Sequence, residues 1–388
     1  LALVFLSDAV ISITLTLTLS RLRERGYSRH SSTKFSLQLI MKLTTPSSPY
    51  GIHRVIEPLG VLPQGAWKID NTMEITDNEI LIDVSALNID AASFTQIKQE
   101  ANGDEAKVAE IVKGIVEKRG KHHNPVTGSG GMLIGTILEI GSALAGKIDL
   151  KVGDKIATLV SLSLTPLRID EIVKIHMQKD QVDIKGKAIL FETGLYAKLP
   201  EDIDEKMALA ILDVAGAPAQ TARLVKEGDT VVVIGGGGKS GTLCVYEAKK
   251  RAGKNGCVIG VSPFEKDCQR MQDLGWADHT LQVDATNALA LMEAVSNVTN
   301  GAMADLVINC VNIQNTEMGS ILSTKQHGKI YFFSMATSFT AAALGAEGVG
   351  KDVEMIVGNG YATGHAEHSL ALLRESETLR KLFTELYV

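Results

Sequence analysis

The stretch V-V-V-I-G-G-G-G-K-S-G-T, Val231 to Thr242, superimposes two phosphate-binding signatures. Gly236-x-Gly238-x-x-Gly241 is a dinucleotide fingerprint, whereas Gly238-Lys239-Ser240 is the tail of a triphosphate-binding loop. The triphosphate motif needs a glycine five residues before the one that precedes lysine. That position is Val233, in the middle of an apolar run, so the motif fails. The dinucleotide reading fits, because the glycines follow an apolar strand and open a helix. Gly236 then makes the tight turn, Gly238 lets the backbone approach a pyrophosphate, and Gly241 lets helix pack on strand. The helix N-terminus offers unpaired N–H groups and partial positive charge to the phosphates. Lys239 and Ser240 become loop residues beside phosphate, and the cofactor is a dinucleotide.

Outward from this loop the chain alternates strand and helix. Thr230–Ile234 precedes a helix over Thr242–Ala252, and Cys257–Val261 precedes one over Glu265–Leu274. Strands at Ala304–Val311, Lys329–Ser334 and Asp352–Gly358 follow, with a helical stretch around Glu317–Ser323. Such alternation predicts βαβ units and a doubly wound parallel sheet. The acid that usually holds the adenosine ribose at the end of the second strand is replaced by Ser262. Glu265 is the nearest carboxylate, and Lys266 and Arg270 read as solvated helix charges. NAD is the expected cofactor, with NADP left open because nothing there repels a 2′-phosphate.

Upstream of residue 205 the texture is β-rich and broken by Gly and Pro. Glu79–Ile89, Met132–Gly141 and Asp154–Val160 read as antiparallel strands. One helix interrupts them, over Glu105–Arg119, with Val108, Ile111, Val112 and Ile115 at helical spacing. The expected division is therefore a β-rich domain over 41–204 and a dinucleotide-binding domain over 205–388.

Residues 1–40 are set apart. Leu1–Ser20 is apolar and about long enough to span a bilayer, but it carries Asp8 and lacks the basic start of a signal peptide. The expectation is upstream sequence read in frame, with the natural start at Met41; a membrane anchor is the lesser reading. The 388 residues carry 45% hydrophobic and 22% charged side chains and a net charge of −6. That balance argues against a nucleic-acid partner. Cys244, Cys257, Cys268 and Cys310 have no C-x-x-C spacing, so neither a disulfide framework nor a four-cysteine zinc site is expected. A reducing cytoplasm is the compartment inferred. Cys310 reads as a small buried hydrophobe.

Several stretches resemble the medium-chain dehydrogenase/reductase superfamily. They are N-E-I-L-I-D-V-S-A-L-N-I-D (Asn78–Asp90), T-G-S-G-G-M-L-I-G-T-I-L-E-I-G (Thr127–Gly141), V-G-D-K-I (Val152–Ile156), A-K-L-P-E-D (Ala197–Asp202) and K-E-G-D-T-V-V-V-I-G-G-G-G (Lys226–Gly238). The resemblance implies a GroES-like substrate domain joined to a Rossmann domain, an active site in the cleft between them, and a homodimer. Gly51–Gln64, Leu87–Ile97 and Lys121–Met132 are further similar to its zinc-free diamino-acid dehydrogenases of anaerobic lysine fermentation. That branch implies NAD(P)-dependent oxidative deamination of a 3,5-diamino acid at C3, with ammonia released. A zinc-free NADPH-dependent quinone or enoyl reductase is the alternative enzyme on the same scaffold, and a non-catalytic nucleotide-binding protein is the third reading.

Compared with the zinc-dependent members, Asp90 falls where their first cysteine ligand would be, and Ser129 at the histidine of their G-H-E motif. No cysteine lies between Met41 and Gly241, so no metal is expected. The resemblance places Asp90 facing the nicotinamide, as a base or ammonium holder, against the plainer reading of a turn-forming Asp. Ser129 would be its hydrogen-bonding partner or a water positioner. Of the adjacent His122 and His123, His123 is taken as a proton shuttle near neutral pH, against an exposed loop residue. Arg54 is assigned to the substrate carboxylate, Glu192 and more weakly Tyr196 to the distal ammonium, and Asn88 joins the substrate-binding set.

Overall fold

The computed structural model describes residues 47–334, 336–358 and 360–388; the apolar run at residues 1–20 and Met41 lie outside the described residues. The chain divides into two units, one ending at Lys198 and one beginning at Leu199.

The first unit contains β1 (Val55–Glu57), β2 (Lys68–Ile69), β3 (Glu79–Asn88), α1 (Ala91–Glu100), α2 (Glu105–Arg119), β4 (Met132–Ile140), β5 (Lys155–Thr158), β6 (Leu167–His176), β7 (Gln181–Phe191) and β8 (Tyr196–Lys198). Six strands form an antiparallel sheet in the order β6-β7-β3-β4-β5-β8, and β1 and β2 pair separately. Helix α2 spans the residues expected of it. Val108, Val112 and Val116, four apart on one face, join Ile80, Ile82, Val84 and Leu87 of β3 in the core. Asp104 caps the helix by accepting from the Lys107 N–H, and Gly120 ends it with φ 74°. A second helix, α1, was not expected. Asp90 starts it as N-cap, and Phe94, Ile97 and Ala101 at spacings of three and four bury its inner face. Length and the neighbouring strands hide such a helix in sequence, because ten residues hold barely two apolar repeats.

The second unit contains α3 (Glu205–Leu212), α4 (Gly216–Leu224), β9 (Thr230–Ile234), α5 (Lys239–Ala252), β10 (Cys257–Ser262), α6 (Glu265–Asp273), β11 (His279–Gln282), α7 (Ala288–Val298), β12 (Ala304–Asn309), α8 (Glu317–Ser323), β13 (Thr324–Phe332), α9 (Phe339–Gly348), β14 (Glu354–Val357), α10 (His365–Glu375) and α11 (Glu377–Tyr387). Its six strands are all parallel, in the order β11-β10-β9-β12-β13-β14. The order reverses direction at β9, the first strand, which is where such sheets bind ligands beyond the strand ends. In β9, Val231 and Val233 pack into one core while Val232 and Ile234 pack into the other. Both faces being covered explains why the run is apolar without alternation. Among the described residues no helix is long and apolar enough to cross a membrane.

Candidate functional site

Two clusters carry chemistry, one in each unit. In the first, β3 ends at Asn88 and Asp90 begins α1. One carboxylate oxygen of Asp90 accepts from the Ser93 N–H at 2.9 Å, which satisfies a helix N-terminal donor. The other accepts from the Ser129 hydroxyl at 2.7 Å. Ser129 Oγ lies 3.0 Å from Ser93 Oγ and 3.3 Å from Thr127 Oγ1, and Ser93 and Thr127 also bond to each other. A capping Asp needs only one oxygen; here the second accepts from Ser129, whose hydroxyl is itself bonded to those of Ser93 and Thr127.

The Thr127–Gly131 loop is shaped to deliver Ser129. Asn124 accepts from the N–H groups of Val126 and Thr127 through its side chain, and its amide donates to Gln96 Oε1 at 2.9 Å. Gly131 has φ +100°, and a Cβ there would stand 2.0 Å from the Asn88 carbonyl oxygen. Only glycine lets the loop lie this close to the end of β3. Asn88 itself accepts from Gln181 at 3.3 Å, two residues before Asp90.

The histidines behave differently from expectation. His122 is fully buried, with Nδ1 3.2 Å from the Gly130 carbonyl oxygen and no partner for Nε2 among the described residues. Burial pushes its ring down to about 4, although the Gly130 contact and the Asp90 charge pull the other way. His123 is also pushed down to about 4, by burial and then by the Lys121 and Arg119 charges. Neither ring titrates near neutral pH, so the shuttle role expected of His123 loses its basis, and it is His122 that feels the Asp90 charge. Lys121, which carried no expectation, is buried with its ammonium on the carbonyls of Pro63 and Gln64. Burial, followed by Arg119, lowers it to about 7.

Arg54 does not offer a guanidinium to a substrate. It forms a buried bidentate pair with Glu79, at 2.6 Å on both arms, and also donates to the carbonyls of Thr72 and Glu74. Glu79 begins β3 and Asn88 ends it, so the pair sits roughly 30 Å along the strand from Asp90. Glu192 is at that same end, because its neighbour Phe191 is paired with Glu79. It is exposed, accepting from Asn78 at 3.2 Å. Tyr196 donates to Asp149 at 2.6 Å. The structure thus brings Asp90, Ser129 and Asn88 to one end of β3 and leaves Arg54 and Glu192 at the other.

Arg54 and Glu79 act on stability instead. Burial raises the Glu79 carboxyl, but hydrogen bonds from Arg54 and His53 and the Arg54 charge outweigh it and hold it at about 2. Since an unfolded glutamate titrates at about 4.3, the pair contributes stability fully above that pH and loses it as pH falls towards about 2. Glu79→Gln is expected to cost about 3–5 kcal/mol at neutral pH by stranding a buried cation. Thermal unfolding over a pH series checks both points.

In the second unit the glycine loop follows β9. Gly238 caps α5 in an extended conformation, φ −80°, and its N–H donates to the Gly235 carbonyl at 3.0 Å. A Cβ on Gly241 would stand 1.9 Å from that carbonyl oxygen, so Gly241 sets how closely α5 approaches the strand. A Cβ on Gly238 would meet nothing nearer than 3.5 Å, leaving room before the helix N-terminus. No carbonyl of the preceding turn reaches the first amides of such a helix, and the cradle suits a pyrophosphate. Lys239 pairs with Asp213 at 3.1 Å and lies 5.7 Å from the Tyr387 ring centre; Ser240 follows in the same first turn.

Ser262 is buried at the end of β10, and its hydroxyl donates to Asp267 at 2.9 Å. Arg270 is not a solvated helix charge: it donates to Asp267 at 3.0 Å and to the Gly237 carbonyl at 2.6 Å. Asp267 escaped the sequence reading, although an Asp in the first turn after the strand was there to be read. Cys310 Sγ stands 3.8 Å from Cys244 Sγ. Among the described residues no three His, Cys, Asp or Glu side chains converge as a metal site would require.

The family model for the N-terminal domain of L-erythro-3,5-diaminohexanoate dehydrogenase matches residues 53–200. A protein of that name from Acetoanaerobium sticklandii is 61% identical over 339 residues, covering 87% of this chain and 98% of the relative. The chain belongs to the L-erythro-3,5-diaminohexanoate dehydrogenase family. A second member, from Fusobacterium nucleatum, is 60% identical over the same coverage. Among solved structures, mycobacterial Rv1454c complexed with NADPH aligns with a TM-score of 0.52 at 16% identity, covering 82% of this chain and 85% of that one. The CurK enoyl reductase aligns at 0.50 and 14%, covering 83% and 86%. At such identities the likeness concerns fold alone: the chain shares a GroES-like β-rich unit and a Rossmann unit with these reductases.

Proposed function

We propose that the chain oxidatively deaminates L-erythro-3,5-diaminohexanoate at C3, giving 5-amino-3-oxohexanoate, ammonia and a reduced nicotinamide, with NAD as the coenzyme. The observation that carries this reading is a carboxylate, Asp90, backed by hydroxyls in a family whose named members act on this diamine. The glycine loop before α5 would hold the pyrophosphate of the coenzyme, whose nicotinamide would supply the hydride acceptor.

Hydride can leave C3 only when the amine is neutral, so Asp90 first takes a proton from the substrate ammonium. Once Asp90 has passed that proton on to water, its restored carboxylate faces the iminium as positive charge grows at nitrogen, which favours the transition state over the ground state. Ser129 donates to Asp90 and fixes its second oxygen; with Ser93 and Thr127 it supplies hydroxyls to orient the water that attacks the iminium. Asp90, Ser129 and the water thus account for proton removal, charge stabilisation and hydrolysis without a metal. Asn88 is kept as a polar contact for substrate. An enoyl or quinone reductase has no ammonium to deprotonate, and a carboxylate at this position does not serve it. The reading also holds the protein to be a cytoplasmic homodimer, as the superfamily resemblance implies.

An amine-dependent rise in reduced-nicotinamide absorbance, with equimolar ammonia released, is the expected result when the diamine is supplied with NAD or NADP. Coenzyme binding without turnover of the diamine would refute the assignment.

A further inference from the structure

The glycine loop leaves the end of β9, and the end of the neighbouring strand β12 lies beside it. Cys310, the first residue beyond β12, donates its N–H to the Ile234 carbonyl at 3.0 Å. A Cβ on Gly235 would stand 2.7 Å from Val311 Cγ2 and 3.5 Å from the Cys310 carbonyl carbon. Residues 310 and 311 therefore press on the turn that opens the loop. At the loop's far end α5 begins, and Cys244 lies in its second turn, wholly buried.

The two thiols meet across this junction, with Cys310 Sγ 3.8 Å from Cys244 Sγ. Neither has a part in the proposed chemistry. Cys310 is half-buried, so a small oxidant can reach it, whereas Cys244 is shut away. Burial, and then the Cys310 contact, pushes the Cys244 thiol well above its ordinary range. Cys310 is thus the sulfur that meets an oxidant, and Cys244 the thiol that waits behind it. A disulfide bond is about 2.05 Å long, so bonding draws the sulfurs together by about 1.8 Å. Cys244 sits on a helix whose distance from the strand Gly241 already sets. The displacement then falls on Cys310 and Val311, against Gly235.

We propose that Cys310 and Cys244 are a peroxide-modified pair, joined reversibly as a disulfide that weakens the coenzyme cradle beside it. The weakening rests on the proposed placement of the pyrophosphate at the glycine loop; the bridge itself does not. The Cys310 thiolate attacks one peroxide oxygen, the O–O bond breaks, and water leaves with the thiol's proton, giving a sulfenic acid. The Cys244 sulfur then attacks the sulfenic sulfur, the S–O bond breaks, and a second water departs with the Cys244 proton. Two thiols are oxidised and one peroxide is reduced. A dithiol returns the pair to its starting state by exchange.

The test treats the reduced full chain with hydrogen peroxide and maps its disulfides by peptide mass spectrometry without reductant. NADH is titrated by fluorescence before treatment, after it, and again after dithiothreitol. Expected are a linked Cys244–Cys310 peptide pair lighter by two hydrogens, NADH binding weakened by about tenfold, and recovery with dithiothreitol. Cys310→Ala and Cys244→Ala should each lose the bridge and hold their own NADH affinity through the treatment; either one suffices if the other fails to fold. The inference is overturned if no linked peptide forms, if it forms with NADH affinity unchanged, or if the alanine variants lose affinity on treatment as the unaltered protein does. A reduced protein that binds no NADH removes the proposed coenzyme site instead, and the peptide map alone then decides whether the pair bridges.

Discussion

Asp90→Asn is expected to lower kcat and kcat/KM for the diamine together by about 10²–10⁴-fold, the range for loss of a positioned general base. The substitution suits the question because of what it spares. Asn caps helices as well as Asp does, so its side-chain oxygen still accepts from the Ser93 N–H and α1 keeps its start. What is lost is the charge and the capacity to take a proton at the oxygen now facing Ser129. Asp90→Ala removes the cap as well and should add about 1 kcal/mol of destabilisation. Ser129→Ala should reduce turnover by less than Asp90→Asn, because the carboxylate remains. Steady-state kinetics with the diamine, beside NADH affinity, check all three. Unchanged turnover in Asp90→Asn would leave Asp90 as a helix cap and nothing more.

The glycine loop was legible in sequence because its information is local: strand, glycines and helix lie within twelve residues, and each glycine has a steric reason that spacing alone conveys. The parallel architecture followed from the same regularity. Asp90 and Ser129 are thirty-nine positions apart, and no local pattern joins them; only the resemblance set them side by side, and the structure then gives the 2.7 Å contact. Single charged residues were the hardest to place. Arg54 and Glu192 have side chains suited to a diamino acid, but composition does not say that the fold sets both beside the Glu79 end of β3. The histidines failed for another reason: an ordinary histidine titrates near neutral, and burial, which moves His122 and His123 to about 4, is a property of the fold. Asp267 was passed over because only the strand end was read, whereas α6 folds its side chain back against Gly237.

Gly238→Val should leave the fold intact and weaken NADH binding by about 100-fold, equivalent to about 2.7 kcal/mol. The backbone at Gly238 is extended, a conformation open to any residue, and the only atom near an added Cβ is the Gly235 carbonyl oxygen at 3.5 Å. The valine methyls therefore enter the space before the α5 N-terminus, where the linked phosphates must approach the backbone. Gly241→Ala provides the contrast. Its Cβ would stand 1.9 Å from the Gly235 carbonyl oxygen and 2.6 Å from its carbon, so the helix must shift from the strand and the melting temperature should fall. A side chain is thus tolerated by the protein but not by the coenzyme at one position, and by neither at the other. Fluorescence titration with NADH, run beside thermal unfolding of both variants, separates the two effects. If Gly238→Val binds NADH as tightly as the unaltered chain, the phosphates lie elsewhere, and the case for hydride chemistry in this protein loses its structural footing.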